Sequence, residues 1–388
     1  MPRGLGNRAS HSHSLLTIVL DVSPCAWGER DLRRTANDNA RRAQNKRSVG
    51  PATLEEVQKA VSAFSTAFGA LERNSALLII AVADNETAVV FPRKDHLARY
   101  FASPETKPSY DLRTIQTDLI GGIAELVARA AAKTNAASQQ RQAATQEGES
   151  SAQPSSKTPP PTAAAMAAAF SLALCMVNRF LVATHTGAGV SALQKDHFLS
   201  QTGDGGVLSM IGGDKDKKKS KRSNAWSPRI LLVQASEDRS RDYNAFMNCA
   251  FAAVKHNVIV DGCFIPSGGN VKTGSSSSSA FLEQACDLTG GVFLAPSGAA
   301  QVGGALTEVL MSVFLAPRSC RSSLNLPAIN KVDFRARCFE TGEIVDVAYV
   351  CNQCLSIFKK KPNEVCPTCQ ADIKTESASG SKRARQTI

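Results

Sequence analysis

The sequence predicts an α/β protein: a doubly wound, mostly parallel sheet, followed by a small C-terminal module with four cysteines. Short apolar runs typical of buried strands recur along the chain, and amphipathic helical segments stand between them. After residue 317 this alternation stops, and two Cys-x-x-Cys pairs follow. With 388 residues, 43% of them hydrophobic, the chain can bury a core of the size that such a sheet needs.

The first half of the chain supplies two buried strands and one helix. Residues 14–22 (SLLTIVLDV) and 76–83 (ALLIIAVA) are nearly continuous apolar runs, which is typical of parallel strands covered on both faces. Thr53 and Glu56 form a capping box ahead of apolar residues that recur at steps of three and four. Residues 51–74 are therefore predicted to be an amphipathic helix.

Further elements complete the predicted sheet. Asp84 and Asn85 are expected to turn the second strand into an antiparallel partner over 87–91. The residues between 22 and 51 are predicted to be a basic, Asn-rich loop. The other predicted strands are 229–235, 258–264 and 292–294, and the other predicted helices are 112–126, 163–184, 246–254, 281–288 and 306–315.

Two segments of biased composition interrupt this pattern. Residues 134–161 are rich in Gln, Ser and Pro and are predicted to be a flexible insertion. Residues 203–226 are a second insertion, whose basic run 215–222 (KDKKKSKR) fits a nuclear-import signal, a nucleic-acid contact or a solvated surface segment. The predicted domains are a tail at 1–13, the α/β domain at 14–317, a linker at 318–330, the cysteine module at 331–374 and a basic tail at 375–388.

Composition and charge narrow the class of protein. Lys and Arg number 45 against 34 Asp and Glu, and the net charge of +11 favours acidic or nucleic-acid partners. The apolar segment 163–177 ends at Asn178 and Arg179, so it is shorter than the roughly 20 residues of a bilayer span. We therefore expect a buried helix there, in a soluble intracellular protein.

Cys351, Cys354, Cys366 and Cys369 form the most specific motif of the chain. Two residues between thiolates let each pair present both sulfurs to one ion, and two pairs complete the tetrahedral shell that Zn²⁺ prefers. The sequence therefore predicts one Zn²⁺ bound by these four residues. A RING ubiquitin ligase needs a second ligand set, and only Cys338 remains nearby. Cys338 is expected to be either a buried strand residue or an auxiliary ligand.

The end of the first strand carries a second candidate site. Asp21-Val-Ser23-Pro-Cys25 lies where open α/β sheets bind ligands. The metal-ion-dependent adhesion site of von Willebrand type A domains has Asp-x-Ser-x-Ser there, which brings a carboxylate and two hydroxyls to Mg²⁺. Cys25 replaces the last hydroxyl with a thiol, a poor ligand for a hard cation. We therefore expect Asp21 to cap a neighbouring loop or helix.

No motif of the sequence predicts catalysis. GxxxxGK[ST], HExxH and GxSxG are missing, and the 6 histidines share no spacing. We therefore assign no catalytic residue and expect a protein that is not an enzyme.

These residues resemble one family, the smaller von Willebrand-type subunit, subunit 3, of the general transcription and repair factor TFIIH. The matching segments are 18–28 (IVLDVSPCAWG), 173–179 (ALCMVNR), 229–265, 284–291 (QACDLTGG) and 332–358 with the later CPTC. The resemblance implies a von Willebrand type A-like domain, a four-cysteine zinc module and a non-catalytic scaffold in the nucleus. Insertions 134–161 and 203–226 have no place in the family pattern.

The same resemblance implies the partners. They are the other TFIIH core subunits, chiefly the second von Willebrand-type, zinc-bearing subunit, in RNA polymerase II initiation and nucleotide excision repair. DNA is contacted at most indirectly, and neither a membrane nor a small-molecule substrate is expected. Two other hypotheses remain: a stand-alone zinc-dependent nucleic-acid-binding protein, favoured by the charge of +11, and a Mg²⁺-dependent adhesion module, which lacks its hydroxyl ligand at Cys25.

Overall fold

The chain divides into two compact units. Met1–Asp238 with Ala245–Val332 forms the first, and Arg239–Asn244 with Asp333–Ile388 forms the second. The computed structural model describes residues 13–44, 51–71, 75–93, 96–97, 111–146, 164–185, 226–267, 278–301, 304–327, 335–336, 338–341, 343–362 and 364–372.

A six-stranded sheet forms the centre of the first unit. Its strands are β1 (His13–Asp21), β2 (Ser75–Ala83), β3 (Glu86–Phe91), β4 (Trp226–Gln234), β5 (Ile259–Phe264) and β6 (Phe293–Leu294). The order is β3-β2-β1-β4-β5-β6, and every pairing is parallel except that of the edge strand β3. The mostly parallel sheet and its antiparallel edge are as the sequence predicts.

Helices cover both faces of this sheet. The described helices are α1 (Pro24–Gln44), α2 (Leu54–Leu71), α3 (Leu112–Gln146), α4 (Met166–His185), α5 (Tyr243–Lys255), α6 (Ala280–Thr289), α7 (Gly304–Phe314) and α8 (Arg318–Arg321). Leu16, Ile18 and Leu20 of β1 share one core cluster with buried residues of α2, α3 and α7. The alternate residues Leu15 and Val19 are also fully buried, because side chains alternate along a strand and α4 lies against β1.

The capping box of α2 forms as predicted. The N–H of Thr53 donates to Oε2 of Glu56 at 3.0 Å, and the N–H of Glu56 donates to Oγ1 of Thr53 at 3.3 Å. Arg34 of α1 donates to the same carboxylate at 2.9 Å. The box therefore satisfies two backbone donors at the start of α2 and also joins this helix to α1.

The segment predicted to be a basic loop after β1 is helical instead. Residues 24–44 form α1, in which Trp27 and Arg30 are 3% and 2% exposed. These two side chains lie one turn apart and bond to the backbone of the sheet and its loops. The prediction of a loop was wrong because tertiary contacts, rather than an apolar repeat, hold this helix in place.

The first insertion also begins later than predicted. α3 continues to Gln146, so residues 134–146 are helical rather than flexible. The Ala and Gln residues of this stretch have high helix propensity, which favours continuation of the helix without an apolar stripe. The rest of the predicted insertion 134–161, the insertion 203–226 except Trp226, and the tail at 375–388 lie outside the described residues.

α4 corresponds to the apolar segment that the sequence assigns to a buried helix. By length and composition, Met166–Ala183 could cross a membrane, with a mean hydropathy of 1.8. The helix lies against β1, β2 and β4, however, and Phe170, Ala173 and Phe180 are buried. This packing favours the core helix over a membrane span.

A buried ion pair fastens α8 to the sheet. Nη1 and Nη2 of Arg321 donate to Oδ1 and Oδ2 of Asp261 in β5 at 2.7 and 2.6 Å. The side chain of Asp261 is 1% exposed and that of Arg321 is 10% exposed. Arg229 of β4 and Arg321 both donate to the carbonyl oxygen of Ala316. The first residues of the predicted linker 318–330 therefore form a helix that is fixed to the α/β unit, and a linker does not begin at residue 318.

We expect Arg321→Ala to lower the free energy of unfolding of the full chain by about 3–5 kcal/mol, because it leaves the carboxylate of Asp261 buried without its cation. Arg318→Ala is the matched control, since this arginine of the same helix is exposed and donates to Oδ1 of Asn257 at 3.5 Å. Its effect should stay within about 0.5 kcal/mol. Chemical denaturation measures both, and equal effects would contradict the role of the buried pair.

Candidate metal centre

Two similar turns of the second unit carry the four cysteines. Cys351 and Cys354 lie in the turn between β7 (Tyr349–Val350) and β8 (Ile357–Phe358), which pair antiparallel. Cys366 and Cys369 lie in the turn between two bridge partners, Val365 and Asp372. Each pair therefore sits at the tip of a short hairpin.

The backbone of the two turns has the same geometry. The N–H of Leu355 donates to the carbonyl oxygen of Cys351, and that of Gln370 donates to Cys366, both at 2.9 Å. Leu355 and Gln370, each following the second cysteine of its pair, have φ values of 59° and 58°. Residues other than glycine adopt this left-handed conformation at a cost in free energy, so another interaction has to stabilise both turns.

The four sulfurs lie close enough together to share one ion. Sγ of Cys351 is 3.8 Å from Sγ of Cys369, and Sγ of Cys354 is 3.7 Å from Sγ of Cys366. All four ligand atoms lie within 4.8 Å of one another. Zinc–sulfur bonds of about 2.3 Å in a tetrahedron place sulfurs about 3.8 Å apart, whereas a disulfide needs about 2.05 Å. The cluster therefore fits one ion and no disulfide.

The thiols of this cluster influence one another, and the pKa values of two of them shift in opposite directions. Burial raises the pKa of Cys354, but its hydrogen bonds with Ser356 and with the neighbouring thiols outweigh burial and lower the pKa to about 6. A hydrogen bond from Ala371 lowers the pKa of Cys369, but burial and the other sulfurs outweigh it and raise the pKa to about 12. Several thiolates this close repel one another, so a divalent cation is what would let all four ionise.

Cys338 is buried beside this cluster without joining it. It lies next to a turn at 339–341 rather than in a strand, and its sulfur accepts the backbone N–H of Lys359 at 3.3 Å. Burial raises its pKa, but hydrogen bonds from Thr341 and Lys359 outweigh burial and lower it. Among the described residues the metal-binding group contains the other four cysteines alone. The predicted burial of Cys338 is therefore observed, but the residue does not lie in a strand and is not one of the four grouped cysteines.

The carboxylate of Asp21 at the end of β1 is used by the backbone. Oδ1 accepts the N–H of Ser23 at 3.0 Å, and Oδ2 accepts those of Ala235 and Ser236 at 3.1 and 2.7 Å. Asp21 and Ser23 are 0% exposed, whereas Cys25 is exposed in the first turn of α1. The predicted capping role of Asp21 is confirmed, because its carboxylate holds the loops that follow β1 and β4.

The sequence did not predict the role of Arg30, whose side chain donates three hydrogen bonds to backbone carbonyls at this end of the sheet. Nη2 donates to the carbonyl oxygens of Ala235 and Ile265 at 2.5 and 2.6 Å, and Nη1 donates to that of Pro266 at 3.2 Å. Its guanidinium carbon lies 4.9 Å from the ring centroid of Trp27. The partners in Ala235 and Ile265 are 205 and 235 positions away, so no local pattern marks this arginine.

The sheet and the cysteine turns together define a class: a doubly wound α/β protein with a separate four-cysteine unit. The family described as Transcription factor Tfb4 matches residues 13–370, and the chain belongs to this family. The family predicted from the sequence is thereby confirmed.

Individual relatives match over different lengths. General transcription factor IIH subunit 3 of Dictyostelium discoideum is 40% identical over 142 residues, which are 37% of this chain and 34% of that protein. General transcription and DNA repair factor IIH subunit TFB4 of Debaryomyces hansenii is 27% identical over 378 residues, 94% of this chain and 86% of that protein. This chain therefore spans about a third of the first relative and most of the second.

One solved structure is also similar. The crystal structure of the TFIIH p34 N-terminal domain is 19% identical, covers 78% of this chain and 97% of its own, and superposes with a TM-score of 0.44.

We expect millimolar Mg²⁺ to leave the melting temperature of the full chain unchanged, because both oxygens of Asp21 already accept backbone N–H groups. A ligand that binds only the folded state raises the melting temperature by mass action. Thermal unfolding with Mg²⁺, against sodium at matched ionic strength, measures this. A rise that Asp21→Asn abolishes would restore the adhesion-site interpretation.

Proposed function

We propose that this protein is a non-catalytic structural and interaction subunit of the TFIIH core. In this role it would serve RNA polymerase II initiation and nucleotide excision repair in the nucleus. Membership of the Tfb4 family is the observation that carries the proposal. The names of the relatives, which are subunits of general transcription and DNA repair factor IIH, support it.

The chemistry of the described residues suits binding better than catalysis. Burial raises the pKa of Cys263 to about 12 and that of Cys286 well above its usual value. A buried thiol that holds its proton is a poor nucleophile. The carboxylates of Asp21 and Asp261 are both bonded to backbone N–H groups, which removes them as candidates for general acid–base work.

The four-cysteine cluster takes Zn²⁺ as a structural ion in this proposal. Tetrahedral sites made of four sulfurs select zinc or iron–sulfur chemistry, and the spacing of these sulfurs suits a single ion. The buried core of this cluster consists of Cys351, Phe358 and Cys366, with Phe339 packed against it. Such a small core does not hold a fold alone, so the ion would hold the two hairpins together.

We expect one equivalent of zinc in the purified full chain. Cys351→Ser should lose the ion, since it removes one of the four ligands, while the α/β unit keeps its thermal unfolding transition. Cys338→Ser is the matched control, because it changes a buried cysteine of the same unit outside the cluster, and it should retain the ion. Metal analysis decides, and a zinc content of zero or of two equivalents would contradict the proposed site.

The proposed main partner is the second von Willebrand-type, zinc-bearing subunit of TFIIH. The resemblance carries this choice, and exposed apolar side chains in both units support a protein partner. Phe251 and Val254, one turn apart on α5, are 55% and 47% exposed. In the second unit Val347 and Leu355 are 86% and 65% exposed. Permanent interfaces bury more than about 2,000 Å² and are apolar at their centre, so such residues suit one.

We expect the chain to be poorly soluble alone and to be rescued by co-expression with this partner, because apolar surface left uncovered promotes aggregation. Deletion of residues 203–225 should preserve docking, since the family pattern lacks this segment. A chain ending at residue 327 keeps α8 and its ion pair, which an end at 317 would remove. Pull-down measures docking of the co-expressed partner to the full chain, to the deletion variant and to the chain that ends at residue 327. A soluble monomer that does not bind the partner in any of these three forms would overturn the proposal.

A stand-alone zinc-dependent nucleic-acid-binding protein is the second candidate, favoured by the net charge of +11. A protein that binds through phosphate contacts loses affinity steeply as salt increases. A salt-titrated DNA-binding assay on the full chain separates the two functions. Tight, salt-dependent binding that disappears on zinc removal would favour this candidate over the scaffold.

A further inference from the structure

The two terminal nitrogens of the Arg30 guanidinium donate to backbone oxygens at the carboxyl end of the sheet, while its Nε is buried without a hydrogen-bond partner. Its three hydrogen-bond acceptors are backbone carbonyls of the loops that follow β4 and β5, namely those of Ala235, Ile265 and Pro266. The side chain is on the second turn of α1 and the residue is 2% exposed. These contacts join α1 to two loops of the sheet through one charged group.

Negative charge faces this group from Asp21 and Glu29, although the neighbouring Arg33 opposes its charged form. Asp21 interacts electrostatically with Arg30 and favours its charged form, and the indole of Trp27 lies on another side of the guanidinium. Burial lowers the pKa of Arg30 to about 10, so the group remains a cation at neutral pH. Carbonyl and carboxylate oxygens are the ligands that hard cations take in proteins.

We propose that this end of the sheet is an internal cation site built for a planar guanidinium, and that Arg30 fills it from within the chain. A planar fork with several donors can reach carbonyls of two different loops at once. Mg²⁺ would instead demand octahedral geometry and retain several waters, which a site closed by Trp27 and Arg30 does not offer.

This assignment gives the topological switch point a structural role. Open α/β sheets take ligands outside the carboxyl ends of their strands, where the strand order reverses. Here the order reverses between β1 and β4, and the group bound there belongs to the protein itself. Arg30 therefore joins the loops after β4 and β5, which an ion or ligand from solution would otherwise bridge.

Removal of the arginine side chain should convert the internal site into one that binds free guanidinium ion. The test uses the full chain with Trp226→Phe, so that Trp27, which lies beside the site, is the remaining indole of the 2 tryptophans. In this background Arg30→Ala should lower the melting temperature by roughly 5 °C or more, since it leaves buried carbonyls without donors. Low-millimolar guanidinium chloride should restore part of the loss and change Trp27 emission saturably, relative to sodium chloride.

Arg33→Ala is the matched control. Arg33 lies one turn further along α1, is about one-third exposed and donates to Glu29 and to Ser267. This variant should show no response to millimolar guanidinium. A guanidinium response of Arg33→Ala equal to that of Arg30→Ala, or no response of Arg30→Ala, would overturn the proposal.

Two further measurements hold if Arg30→Ala does not fold. Arg30→Lys keeps the charge but presents a compact ammonium instead of a planar fork, so it should fold with a melting temperature several degrees below that of the unsubstituted chain. Equal melting temperatures would overturn the proposal, because charge alone would then suffice. In the chain with Arg30 intact, millimolar Mg²⁺ should leave Trp27 emission unchanged, and a saturable change would show that the site takes a metal ion.

Discussion

The hydrogen bonds of one buried carboxylate organise the carboxyl end of the sheet. Asp21 ends the central strand β1, and it accepts N–H groups from the loop after its own strand and from the loop after β4. A buried charge is stable only when its oxygens are bonded and a positive charge is near. The backbone donors and Arg30 supply both conditions, which fixes α1 and two loops around the strand that lies between β2 and β4.

A second buried carboxylate of the first unit, that of Asp261, meets the same requirement. Asp261 lies within β5 and is paired with Arg321 of α8, while its Oδ1 also accepts the N–H of Val292. The carboxylate of Asp261 thus connects strand β5 both to α8 and to the backbone that immediately precedes β6. Arg321 forms an ion pair with Asp261, whereas Arg30 interacts with Asp21 electrostatically without a direct hydrogen bond between them. The oxygens of both aspartates therefore find their partners within this unit.

In the second unit, by contrast, few of the described residues are buried apolar side chains. Two of the three buried residues in the small apolar cluster around the turns, Cys351 and Cys366, are themselves members of the four-cysteine group. The two turns also hold Leu355 and Gln370 in a left-handed conformation that residues with side chains adopt at a cost. An ion bound by all four sulfurs would offset that cost and replace the apolar burial that the unit lacks.

The sequence by itself determined the features that depend on neighbours a few residues apart. The apolar runs predicted β1 and β2, the Thr53–Glu56 spacing predicted the start of α2, and the Cys-x-x-Cys spacing predicted two hairpin turns able to share an ion. Only the tertiary structure decided that residues 24–44 are helical and that Arg30 lies among the carbonyls of distant loops. The physical reason is range: periodicity and capping act within one or two turns of chain, whereas the partners of Arg30 are more than 200 positions away and become neighbours only when the parallel strands assemble.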